Sequence, residues 1–210
     1  MAIRSYDQNL VNTEKIKAYI KPLNSKVEIR TSLRIPLKKR GIASCILMNP
    51  SAADNDDSDP TINYVTEYIY NNVPEVHHIR FFNLYPFYEP NSSKIYPLIH
   101  TLTHLEYNRA MLANRKVIEK SLATTTHLFL GYGQCSGDKV DKINYYDIQS
   151  AKILTMIEKF YKNDIFVFET TQSKNILIDG KYPRHPNPNS KYKASNHHKC
   201  FIKNGSIILK

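Results

Sequence analysis

Gly41-Ile42-Ala43-Ser44-Cys45-Ile46-Leu47-Met48 is almost unbroken in its apolar character and stops abruptly at Asn49-Pro50-Ser51-Ala52-Ala53-Asp54. A strand with one wet face alternates apolar and polar residues. A continuous run of this length therefore belongs to a strand covered on both faces, as in a parallel sheet between helices. Proline removes a backbone donor and halts pairing where it stands. The run predicts a central strand whose carboxyl end opens into a polar turn.

Downstream the pattern repeats. From Pro60 to Tyr70, Ile62, Val65 and Ile69 share a helical face, with Pro60 suited to the helix start. Val76 to Phe82 reads as the next strand, ending in Asn83-Leu84-Tyr85-Pro86. Residues 101–122 carry Leu102, Leu105, Leu112, Ile118 and Leu122 near helical spacing, and His127-Leu128-Phe129-Leu130 then forms a short strand that ends in Gly131-Tyr132-Gly133-Gln134. Ile148, Ala151, Leu154, Ile157 and Tyr161 mark a further helix, Ile165-Phe166-Val167-Phe168 a buried strand, and Asn175 to Ile178 a short one.

Both ends add to this core. Residues 12–21 read as a helix with Thr13 as N-cap and Pro22 as its stop, and Val27 to Ile35 as a strand with one wet face. Asn204-Gly205, between two apolar runs in 199–210, is the signature of a β-hairpin. Strand and helix in alternation predict an α/β chain, a three-layer α/β/α sandwich with a central mostly parallel sheet. Residues 1–210 read as a single domain, with residues 10–36 and 199–210 as additions.

The chain of 210 residues carries 29 Lys and Arg against 19 Asp and Glu, a formal charge of +10, which favours anionic partners and nucleic acid first among them. Cys45, Cys135 and Cys200 are odd in number and show no C-x-x-C spacing, which argues against a disulfide framework or a zinc knuckle. With no apolar leader and no run of membrane-spanning length, a cytoplasmic, membrane-free monomer is expected. No cofactor is expected and no metal site is nominated.

In such folds ligands bind beyond the carboxyl ends of the strands. The turns that fall there are Asn49-Pro50-Ser51, Asn83-Leu84-Tyr85-Pro86 and Gly131-Tyr132-Gly133-Gln134. To them the tail adds Tyr182-Pro183-Arg184-His185-Pro186-Asn187-Pro188-Asn189-Ser190-Lys191-Tyr192-Lys193, a stiff proline-rich loop bearing one imidazole among cations.

Two of these turns together resemble the uracil-DNA glycosylase superfamily. Leu47-Met48-Asn49-Pro50-Ser51 is similar to the first motif of its mismatch-specific branch, Gly-Ile-Asn-Pro-Gly, and His185-Pro186-Asn187-Pro188-Asn189-Ser190 to its second, His-Pro-Ser-Pro-Leu-Ser. Met48 and Ser51 replace the two glycines of the first, Asn187 and Asn189 depart from the second, and no iron-sulfur cysteine pattern is present. Phe81-Phe82-Asn83-Leu84 resembles the strand whose Asn reads the flipped base. The stretch Asn49-Pro50-Ser51, Asp59-Pro60-Thr61, Asn83-Leu84 and Pro183-Arg184-His185-Pro186 is closer still to a bacterial and phage family, domain-of-unknown-function family 1643, which by itself implies no activity.

The superfamily resemblance implies a uracil-DNA-glycosylase-like fold and excision of a modified or damaged base, with a modified phage base and a defence role as one expectation. Asn49 would hold the attacking water and His185 would donate to the departing base. The rupture leaves a cationic sugar that an amide cannot stabilise, so Asp54, Asp59 or Glu28 would supply charge, Asp54 foremost. Tyr85, Phe82 or Tyr132 would stack on the extruded base, with Asn83 and Ser51 contacting it. Arg184, Asn187, Ser190, Lys191 and Lys193 would meet DNA. Each has a plainer alternative: Asn49 and Asn83 as turn residues, His185 as an exposed loop histidine, the aromatics as core. A non-catalytic nucleic-acid-binding protein with a base pocket is the second expectation. The third is a metal-dependent nuclease using the cluster from Asp54 to Asp59, although that cluster reads better as a solvated loop and helix N-terminal charge.

Overall fold

A computed structural model describes residues 4–37, 41–73, 75–135, 137–171, 175–187 and 193–210. Eight strands form one sheet: β1 Lys17–Pro22, β2 Glu28–Pro36, β4 His78–Asn83, β3 Ile42–Leu47, β5 His127–Leu130, β6 Asp164–Thr170, β9 Ala194–Lys203 and β10 Ser206–Leu209, in that spatial order. The four inner strands β4, β3, β5 and β6 are mutually parallel. The outer pairings are all antiparallel, so the sheet is mixed, with a parallel centre and antiparallel wings. β7 Leu177–Ile178 and β8 Tyr182–Pro183 make a separate small ribbon.

The apolar run from Ile42 explains the layering. Ala43, Cys45 and Leu47 of β3, with Phe129 of β5 and Phe166 and Phe168 of β6, face helix α1, Pro60–Asn72, which buries Ile62, Val65 and Ile69 against them. Ile46, Leu128, Leu130, Ile165 and Val167 point the other way, onto α3, His104–Leu122, and α5, Ile148–Phe160. Each fully buried side chain of this kind contributes about 1.5–3 kcal/mol. Both faces of the central strands are therefore covered, as their continuous hydrophobicity requires.

Three expectations need correction. Residues 12–21 are not a helix: a single tight turn, Thr13–Lys15, leads into β1, whose Ala18 and Ile20 turn inward at period two. Pairing to β2 overrides the weak local helical signal. β2 has no continuous wet face: Glu28 alone is exposed, Arg34 is half-buried, and Ile29–Leu33 are all buried. The helix expected over residues 101–122 is α3, which begins at His104, and a separate short helix, α2 Ile95–Thr101, precedes it. Thr103 caps α3 by accepting from the Glu106 N–H, while the Glu106 carboxylate accepts from the Thr103 N–H, the reciprocal pair of a capping box. Leu105 and Leu112 lie on the exposed side of α3, and its buried stripe is Ala110, Met111, Asn114, Ile118 and Leu122.

The C-terminal hairpin is present and longer than expected. β9 starts at Ala194 and extends the sheet alongside β6. Between β5 and α5, a short helical turn α4, Lys139–Asp141, continues through a wider-wound segment, Lys142–Asp147. Among the described residues no helix is long and apolar enough to cross a membrane.

Candidate functional site

The order of the parallel strands reverses at β3, whose neighbours β4 and β5 lie on opposite sides of it. A crevice opens beyond the carboxyl ends of the strands at such a point. Here it is a cavity of about 870 Å³. Its walls come from the β3 exit (Leu47, Met48, Asn49, Ser51), the β5 exit (Tyr132, Gly133, Gln134), the loop after β4 (Glu89 to Ser92), the first turn of α1, and the tail loop with His185 and Asn187.

Asn49 is held by its own amide group. Nδ2 donates to the Glu89 carbonyl at 2.5 Å and more weakly to that of Pro50 at 3.4 Å, and among the described residues no donor reaches Oδ1. The side chain thus lines the cavity with its acceptor free.

His185 is brought to the same cavity by steric fit. Gly133 has φ of 71°, and a Cβ there would stand 3.0 Å from the His185 Cβ; one on Gly131 would stand 3.0 Å from Pro186 Cδ. The tail loop lies in hollows left by the two β5-exit glycines, one of which also needs the left-handed region. Burial pushes the His185 imidazole below its usual pKa, opposed by hydrogen bonding to the backbone at Pro186 and by the Asp59 carboxylate.

Of the residues expected to hold a base, Ser51 and Tyr132 line the cavity. The Ser51 hydroxyl is buried without a partner. Tyr132 is a wall and not a platform, since its ring is fully buried and its hydroxyl accepts from Ser150. Phe82, Asn83 and Tyr85 are displaced into the core. The chain beyond β4 goes on bonding to the β3 exit, the Leu84 N–H donating to the Leu47 carbonyl and that of Tyr85 to Met48, which holds Leu84 and Tyr85 against the core. Phe82 and Tyr85 join the helix-covered cluster, Tyr85 edge-on to Tyr96, and the Asn83 carbonyl accepts from the Asn114 amide inside the protein. Stacking by Phe82 or Tyr85 and edge reading by Asn83 have no access to the cavity wall.

Asp54 also turns away. Its carboxylate accepts from the Asp56 and Asp57 N–H groups and closes the acidic loop on itself. Glu28 is exposed and has no ion pair among the described residues. Asp59 is fully buried as the N-cap of α1, Oδ1 accepting from Thr61 and Ile62 while Oδ2 has no partner. Among the described residues no group of three or more His, Cys, Asp or Glu could hold a metal ion. Arg184 anchors its loop by donating from Nε to the Asn175 carbonyl at 2.6 Å, and Lys193 is exposed at the start of β9. Ser190 and Lys191 lie outside the described residues.

Three charged residues of the cavity were not anticipated: Glu89, Arg30 and Lys94. Glu89 lines it beside Asn49, its carboxylate accepting from the Asn91 N–H at 2.9 Å. Arg30 of β2 lines it while only 1% exposed. Its Nη1 donates to the Ser51 and Ala53 carbonyls, and Nε and Nη2 have no partner. Burial lowers the Arg30 pKa, and Tyr88, Asp59, Tyr6 and Asp54 oppose this; an arginine starts so high that it stays charged. The alternating pattern of β2 concealed it, since a charged residue there reads as solvent-facing. Glu89 is three residues past Pro86, in a loop with no motif to mark it.

No curated protein and no solved structure matches the chain. A family model does, over residues 30–187, a span that holds Arg30, Asn49, Glu89 and His185, and the chain belongs to that family, described as "Protein of unknown function (DUF1643)".

Proposed function

We propose that this chain is a monofunctional DNA glycosylase that draws a modified or damaged base out of the stack and cleaves its N-glycosidic bond, leaving an abasic site. The observation that carries the reading is the meeting of Asn49 and His185, from opposite ends of the chain, on one cavity large enough for a nucleoside. Their motif context resembles the superfamily named above, and the +10 charge suits a polyanionic partner.

The chemistry divides among groups at hand. The C1′–N bond breaks with its electron pair passing to the base, where His185 donates a hydrogen bond to the forming anion. The free Oδ1 of Asn49 accepts from the attacking water and orients it. An amide takes no proton; the Glu89 carboxylate, from a residue that lines the same cavity, is assigned the proton the water loses and the charge that balances the cationic sugar. Glu89 takes the part that the superfamily resemblance and the needs of the sugar cation had given to Asp54, Asp59 or Glu28.

The test uses DNA duplexes and single strands containing uracil, 5-hydroxymethylcytosine or glucosylated cytosine, incubated with protein in EDTA and then treated with alkali. Breaks that appear only after alkali, and that vanish in Asn49→Ala and His185→Ala proteins with native circular dichroism, are the expected result. Direct breaks that need added metal would point to a nuclease, and tight binding without product to a non-catalytic nucleic-acid-binding protein.

A further inference from the structure

Arg30 has a feature that glycosidic cleavage as described above does not use. A guanidinium offers a planar fork of donors. In Arg30 one nitrogen, Nη1, is occupied by the Ser51 and Ala53 carbonyls, which fixes the plane of the group, and the Tyr88 ring lies 5.7 Å from Cζ. The remaining pair, Nε and Nη2, is buried with no protein partner, in a residue that lines the cavity. Two adjacent N–H groups pointing the same way match two adjacent in-plane acceptors. The Asp59 carboxylate, close enough to act on Arg30 electrostatically, offsets part of its charge. The fork therefore suits a neutral polar edge as well as an anion.

We propose that Nε and Nη2 of Arg30 read the edge of the extruded base, and that they select a cytosine-type base over uracil or thymine. The inference rests on the glycosylase reading for the presence of a base in the cavity. Its chemistry is specific. Cytosine presents O2 and N3 as neighbouring acceptors; uracil and thymine interpose an N3–H donor that opposes the fork; adenine pairs each ring acceptor on its open edges with an amino donor. Guanine has one matching pair, O6 and N7, but these lie away from its glycosidic nitrogen. In cytosine O2 is attached next to the bond that breaks, so the same contact strengthens as negative charge moves onto the departing base. Substituents at the 5-position lie on the opposite side from O2 and leave this edge unobstructed, which makes 5-substituted cytosines acceptable substrates.

The decisive measurement is made on the wild-type full chain labelled with ¹⁵N, following the Arg30 Nε–H resonance, assigned by its absence from Arg30→Lys protein. Free cytosine, guanine, uracil and adenine are titrated in turn. Cytosine is expected to shift the Arg30 signal saturably, with uracil and adenine weaker by about tenfold or more. Equal affinity for uracil, a response to guanine alone, binding of bases that leaves the Arg30 signal unmoved, or no binding of any base would each overturn the assignment. Arg30→Lys, which keeps the charge and loses the fork, is expected to abolish the preference; where it does not fold, Arg30→Gln supplies the resonance assignment and carries the same expectation. Cytosine selectivity together with no alkali-labile sites on any DNA would leave the edge reader in place and remove the glycosylase. Alkali-labile sites without an Arg30 response would do the reverse.

Discussion

Asp59 joins the architecture to the cavity, and its removal gives the most direct energetic test. One carboxylate oxygen accepts from the Thr61 N–H at 2.7 Å and from the Ile62 N–H at 3.0 Å, and Asp59 itself is fully buried. In Asp59→Ala both donors lose their acceptor. An exposed cap of this kind contributes about 0.5–2 kcal/mol. Here Ile62 is 1% exposed and water cannot easily replace the carboxylate, so an orphaned donor adds about 1–3 kcal/mol. The expected loss is about 2–4 kcal/mol. Asp59→Asn keeps an acceptor oxygen in place and loses the charge at the helix N-terminus, a loss of about 0.3–2 kcal/mol. Equilibrium unfolding in guanidinium chloride, followed by far-ultraviolet circular dichroism, separates the two, with the slope against denaturant unchanged in both. If Asp59→Ala stayed within about 0.5 kcal/mol of wild type, the capping argument would be refuted. If Asn proved as damaging as Ala, electrostatic balance with Arg30 would outweigh the helix cap.

Further outcomes are expected elsewhere. Gly133→Ala places a methyl group 3.0 Å from the His185 Cβ at a left-handed φ, so it should cost about 1–2 kcal/mol in thermal unfolding and, under the proposed activity, reduce turnover more than its stability loss accounts for. Thr103→Ala removes half of the capping box of α3 at an exposed site; a loss of about 1 kcal/mol, or roughly 2–4 °C in melting temperature, is expected, with the proposed activity unchanged. Burial depresses the pKa of His78 to about 4, and those of His127, His185 and His197 in the same direction. Between about pH 4 and the unfolded value near 6.5 the unfolded chain then binds more protons than the folded one, so stability should fall as pH is lowered through this window. Melting curves from pH 7.5 to 4.5 check this, and His78→Gln should flatten the slope.

What the sequence revealed depends on how local the signal was. β3, β5 and β6 were legible because burial on both faces leaves a continuous apolar run, and α1 because Asp59-Pro60 marks its start. β1 was hidden: Ile16, Tyr19 and Ile20 fit a helical stripe as well as an edge strand, and only pairing with β2 decides. Asn49 and His185 were found through motif context. Phe82, Asn83 and Tyr85 were misplaced because backbone bonding at the β4 exit, invisible in composition, holds the chain against the core past the last strand residue. Arg30 was missed for the opposite reason. A buried cation inside a strand has the same pattern as an exposed one, and its significance emerges only when donors without partners can be identified.

The hollows at Gly131 and Gly133 have a consequence for biosynthesis. During translation the Asn49 turn and the Gly131–Gly133 exit leave the ribosome well before the loop that fills them. A chain interrupted before Tyr182 therefore holds the orienting amide, the carboxylate of Glu89 and the arginine fork, but no imidazole. Truncated products lack the wall that the tail supplies, and under the proposed activity the site is complete only after the tail of the polypeptide has closed onto β5.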